Sequence, residues 1–180
     1  MRRIITISII ICLIIGVTFG VYYFIIQDKE EEITEYTPQE EISEEQMRQT
    51  MVSLYFKSGE LVAPEARLID VKELLDNPYK EILEMLIEGP KSTNLEKTIP
   101  EGTKINKLEK QSDVLIIDFS EDFIKNHKNG EKEEKITINS IVNTVTELTE
   151  INGVKIIING EENKSFIDEK VKFDKVFYRE

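Results

Sequence analysis

Hydrophobic and polar positions divide the chain into three regimes. From Ile4 to Ile26 the residues are almost all apolar and none is charged. As a helix this run of 23 residues rises about 34 Å, enough for a hydrocarbon core of about 30 Å. Arg2 and Arg3 precede it and Asp28-Lys29-Glu30-Glu31-Glu32 follows, so the basic end is expected in the cytoplasm and the carboxyl part outside. A cleaved signal peptide fits less well, because Thr18-Phe19-Gly20 is a poor cleavage site and the apolar run continues beyond it. Cys12 follows Ile9-Ile10-Ile11, not the small residue an acylated amino terminus requires. Residues 1–26 therefore read as an uncleaved signal anchor. Residues 27–50 are almost wholly polar and read as an acidic linker, with Ser43-Glu44-Glu45-Gln46 matching a capping box.

Residues 51–180 carry the mixed periods of a folded domain. Met51 to Phe56 is β-rich, Lys57-Ser58-Gly59-Glu60 is a turn and Leu61-Val62 resumes the strand pattern, which predicts a hairpin; Arg67 to Asp70 adds a short strand. Asn77 and Pro78 open a helix whose stripe is Tyr79, Ile82, Leu83, Leu86 and Ile87, and Gly89-Pro90 ends it. Lys104 to Glu109 and Val114 to Phe119 read as strands, the second central because its apolar run is continuous. Ile138, Ile141, Val142, Val145 and Leu148 have helical spacing and predict a second helix over about Glu133 to Thr149. Val154 to Ile158 is a buried strand, Asn159-Gly160 a hairpin turn and Val171 to Tyr178 an edge strand. This order predicts an α+β domain, a two-layer sandwich of a mixed, mostly antiparallel sheet with two main helices.

Charge narrows the function. The net charge is −12, and residues 27–50 hold nine acids against Lys29 and Arg48. The domain from 51 to 180 keeps a charge of −7. No basic cluster is dense enough for a nucleic-acid partner. An acidic domain is repelled by an anionic membrane surface, so the membrane tie is hydrophobic, through residues 4–26. One Cys and one His leave no disulfide framework or Cys/His metal centre, and no cofactor is expected.

Seven short runs, in order, resemble one family, the GerMN-type sporulation and spore-germination domain. They are Val52 to Phe56, Leu61 to Arg67, Leu86-Ile87-Glu88-Gly89-Pro90, Ile99-Pro100-Glu101-Gly102-Thr103, Val114 to Ser120, Ile141 to Leu148 and Val154 to Gly160. The resemblance implies a single membrane-anchored extracytoplasmic domain, similar to the ring-building domains of the stage III sporulation channel. It also implies envelope or sporulation proteins as partners and leaves self-assembly open.

The motif residues singled out from those runs are Pro64, Arg67, Gly89, Pro90, Pro100, Gly102, Asp118, Ser120, Thr144 and Gly160, and each reads as structural. Gly89 and Pro90 stop a helix, Pro100 takes the second position of a β-turn, and Asp118 or Ser120 caps the turn at Glu121 to Ile124. Arg67 pairs with Glu65 or Asp70, or else anchors a partner. Thr144 and Thr146 lie beside the apolar stripe, and His127 sits in an exposed polar loop. Asp118 and Ser120 have no base nearby in sequence, so a nucleophile is not expected. Asn163-Lys164-Ser165 fits a glycosylation sequon without further support. The expected function is a non-enzymatic interaction domain in sporulation or germination; an envelope small-ligand or cell-wall sensor with a pocket around Arg67, Asp118 and Ser120 is the alternative.

Overall fold

The computed structural model describes residues 15–24, 48–128 and 130–180. Most of the expected anchor and linker, including Cys12 and the capping box at Ser43, lies outside these residues. The chain divides into two compact units, Met1–Ile42 and Ser43–Glu180. In the first, residues 15–24 are helical, and apolar side chains such as Val17, Phe19 and Phe24 are all exposed. Among the described residues no helix is long and apolar enough to cross a membrane.

The second unit is a mixed α+β fold with two sheets. Strands β1 (Gln49–Ser58) and β2 (Leu61–Asp70) form an antiparallel hairpin. Helices α1 (Val71–Asp76) and α2 (Pro78–Glu88) follow. Strands β3 (Ile105–Gln111) and β4 (Val114–Phe119) are antiparallel. Helices α3 (Asp122–Lys125) and α4 (Glu131–Val145) then carry the chain to β5 (Gly153–Ile158), which pairs parallel to β4. The short β6 (Phe177–Tyr178) closes the order β3-β4-β5-β6. A parallel pair needs a crossover of this length, and its helices cover a sheet face.

One core joins these elements. Leu115, Ile117 and Phe119 on β4 alternate with Ile116 and Asp118, and the first three enter the core with Val154, Ile156 and Ile158 of β5. Ile82, Leu83 and Leu86 of α2 and Ile138, Ile141, Val142 and Val145 of α4 pack against them. Phe119, Phe123, Phe166 and Phe173 form an aromatic chain, with Phe119 and Phe123 stacked at 4.6 Å. Each such buried side chain is worth roughly 1.5–3 kcal/mol of removed apolar surface.

Several expectations shift. The hairpin forms a sheet of its own, and β2 runs unbroken through Pro64. Tyr55 stands opposite Pro64, and its backbone N–H and C=O bond to α4 side chains, away from β2. Pro64 therefore sits where a missing N–H costs the β1–β2 ladder nothing. Asn77 gives α2 no side-chain cap, although its carbonyl accepts from the Glu81 amide. The unforeseen α1 is capped by Asp70, whose carboxylate accepts from the Lys72 amide at 2.7 Å. The expected edge strand from Val171 shrinks to Phe177–Tyr178, because residues 161–176 fold into bends. The last predicted helix ends at Val145, and turns continue to Glu150.

Candidate functional site

The motif residues form three clamps on backbone. In the first, Arg67 and Glu65 sit two apart on the inward face of β2, both nearly buried. Arg67 Nε donates to Glu65 Oε1 at 2.5 Å, and Nη2 donates to the Gly89 carbonyl at 2.6 Å. Glu65 also accepts from the amides of Lys91 and Ser92. Burial pushes the Glu65 carboxyl up, but Arg67 and the two amides outweigh it and hold it at about 2. The pair thus holds the exit of α2, where Gly89 has φ 105 and ψ 179, a conformation only glycine adopts readily. Of the two acids expected for Arg67, it is Glu65 that takes it, and the guanidinium is buried and turned inward. Among the described residues its Nη1 has no hydrogen bond, and it lies 3.8 Å from Glu88.

The second clamp closes the edge of β1. Tyr55 N donates to Thr144 Oγ1 at 2.9 Å, and Ser140 Oγ donates to the Tyr55 carbonyl at 2.5 Å. Ser140 also meets Thr98 Oγ1 at 2.6 Å, and Thr137 Oγ1 donates to the Thr98 carbonyl at 3.0 Å. Thr137, Ser140 and Thr144 therefore make a buried polar row on α4 that replaces a third strand beside the hairpin. Lys57 extends the seam, exchanging backbone bonds with Glu96.

The third clamp involves Asp118 and Ser120. Asp118 Oδ1 accepts from the Gly160 amide at 3.0 Å, fixing the Asn159-Gly160 turn, where φ is 49 and 75. Ser120 Oγ accepts from the Lys104 amide at 3.1 Å. Neither provides a side-chain cap for α3, contrary to expectation. The next turn also differs: the Thr103 amide bonds the Pro100 carbonyl, so Pro100 is first in the turn and Gly102, at φ 82, third. Arg67, Asp118 and Ser120 are each engaged internally and line neither cleft described next.

Two clefts open elsewhere. One, of about 580 Å³, is lined by Lys57, Ile99, Pro100, His127, Glu133 and Thr137 among others. His127 is not the exposed loop residue expected. Its ring packs on Phe166 at 4.1 Å, Nε2 meets Thr137 Oγ1 at 2.8 Å and Nδ1 meets the Lys128 carbonyl at 2.6 Å. Burial pulls its pKa below the usual histidine value. Lys57 is held by Glu133 at 2.8 Å and by Glu96 at 3.6 Å. The other cleft, of about 420 Å³, lies between α4 and the segment 170–180 and has lysines on its rim. At the surface Tyr55, Glu147 and Arg179 form a bonded trio, with the guanidinium over the Tyr55 ring at 5.1 Å. Of the sequence motifs only the run at Ile99-Pro100-Glu101 reaches the first cleft, and the pattern marked neither cleft as such, because each gathers residues from distant runs.

Residues 53–164 match the family model Germane, described as sporulation and spore germination. The tandem GerMN domains of the sporulation protein GerM from Bacillus subtilis superpose with a TM-score of 0.61 at 18% identity, over 74% of this chain and 47% of that one. This chain thus spans about half of that tandem structure. A putative lipoprotein from Clostridium perfringens matches with a TM-score of 0.51 and 24% identity, over 76% of this chain and 92% of that one. The first GerMN domain of GerM from Bacillus subtilis matches with a TM-score of 0.52 and 23% identity, over 66% and 89% of the two chains. Among curated proteins no significant sequence match was found.

Proposed function

The chain belongs to the Germane family of sporulation and spore germination domains, and from that premise we propose that it is a non-enzymatic, membrane-anchored interaction domain on the outer side of the cell membrane. The observation that carries this reading is where the motif residues spend their polar groups. Arg67, Asp118, Ser120 and Thr144 all bond the protein's own backbone. The motif therefore builds a scaffold, and function falls to the surfaces it presents.

Two features support anchoring and docking. Residues 15–24 present bare apolar side chains within the uncharged run 4–26, as a lipid-facing helix does. The outward face of the hairpin pairs Met51 with Leu68, 71% and 63% exposed, beside Ala66 and Pro64. The free edge of β2 is a poor template for further strand pairing, since Pro64 lacks a donor and Glu65 and Arg67 point inward. Docking on faces fits the molecule better than edge-to-edge growth. Two partners tethered to one membrane gain effective concentration, so modest interfaces suffice.

A small-ligand sensor built around Arg67, Asp118 and Ser120 is disfavoured, because those groups are already engaged. The process is tested by deleting the gene and scoring heat-resistant spores and germination. A defect restored by the full chain is expected; normal spore yield together with normal germination would contradict the assignment.

A further inference from the structure

The lysine-rimmed cleft is built on a pinned loop. Glu134 of α4, 1% exposed, accepts from the Val171 amide at 2.8 Å. The Phe166 amide bonds the Val171 carbonyl, and the Phe173 amide bonds the Lys164 carbonyl. Val171 and Phe173 are thereby drawn into the core while Lys170 and Lys172 stay exposed on either side of Val171. Lys175 joins the rim, close to the Phe177 ring at 5.7 Å, and Lys135 faces it from α4. Ile138, Val171 and Phe177 make an apolar floor. Lys135 is paired with Glu131 at 2.6 Å. Lys170, Lys172 and Lys175 form no ion pair among the described residues, although Asp174 and Glu180 also line the cleft. The lining holds four lysines against Asp174 and Glu180, a local net charge of +2 in a domain whose net charge is −7, and Lys170 also lies in the field of Glu131 and Glu134 of α4.

We propose that this cleft docks an acidic peptide segment of a partner protein, with carboxylates on Lys170, Lys172 and Lys175 and one apolar side chain over Ile138, Val171 and Phe177. The floor favours a peptide over a purely ionic polymer, because an uninterrupted polyanion leaves apolar surface uncovered. Compact ammonium groups on long stems match carboxylates without fixed bidentate geometry, so charge pattern, not one pose, selects the partner. This inference rests on the reading of the protein as an interaction domain and names the chemistry of its partner.

The test uses the full chain in non-ionic detergent and a labelled ten-residue peptide with acidic residues flanking one central leucine. Anisotropy should report binding that weakens as NaCl is raised, since screening shortens the reach of exposed charges. The double variant Lys170→Gln/Lys172→Gln should weaken it at least about tenfold, the loss expected for charge-assisted bonds. Lys97→Gln/Lys128→Gln, at the other cleft, should leave it unchanged, and exchanging the leucine for serine should weaken it. The linker acids are present in every arm, so the comparison isolates the lysines. Equal binding by wild type and the Lys170/Lys172 variant overturns the proposal. So does binding of pyrophosphate or anionic-lipid vesicles through these lysines when the peptide does not bind. Failure here leaves the sporulation or germination role intact, because the deletion phenotype reads that separately.

Discussion

The most informative single residue is Glu65. A carboxyl held at about 2 in the fold and near 4.5 when unfolded stabilises the native state above the unfolded value. That contribution is fully present above about pH 4.5 and is lost as pH falls through about 2. Acid melts of the wild type should show this limb, and Glu65→Gln should flatten it. The same variant leaves the Arg67 guanidinium buried without its counter-charge, so urea unfolding at neutral pH should reveal a loss of about 3 kcal/mol. An unchanged midpoint would mean that the pair is not a clamp. Thr144→Val keeps the shape but removes the acceptor of the Tyr55 amide. A loss of about 1–3 kcal/mol is expected in the same assay, since a buried donor is left unsatisfied. The sequence made Glu65 a candidate for Arg67 because it lies two residues away; the unbroken strand that sets both on one face belongs to the structure. It could not show His127 packing against Phe166 or Asp118 holding Gly160, because those partners are brought together by the crossover and not by local spacing.

At the scale of elements, the legible parts were those with a local cause. Gly59 between two β-rich runs marks the hairpin, Asn77-Pro78 and Gly89 bracket α2, and the stripe from Ile138 to Val145 marks α4. What the pattern missed depends on neighbours. The hairpin stays apart from the main sheet because Thr144 and Ser140 occupy the edge where a third strand would pair. The final strand is short because the loop after Gly160 is drawn into the core by Phe166, Val171 and Phe173. Its two residues sit tightly on β5: a Cβ on Gly153 would stand 2.7 Å from Val176 and 2.9 Å from the Tyr178 ring. Gly153→Ala should therefore displace β6, at a cost of about 1–3 kcal/mol. Amide exchange at Phe177 and Tyr178 should accelerate more than exchange within β4. Unchanged protection at those two residues would show that the edge absorbs a methyl group without moving.

At the scale of the molecule, a scaffold with its motif side chains turned inward leaves function to surfaces and to location. Its family is one of sporulation and spore germination domains, which supports the proposed role, and the uncharged run before the domain motivates the proposed outward tether. The most direct measurement is cysteine labelling in intact protoplasts, with Cys12→Ser to remove the native thiol and Glu162→Cys to place a new one on an exposed loop of the domain. A membrane-impermeant maleimide should label that thiol in whole protoplasts as fully as after lysis. Labelling that appears only after lysis would put the domain in the cytosol and contradict the account.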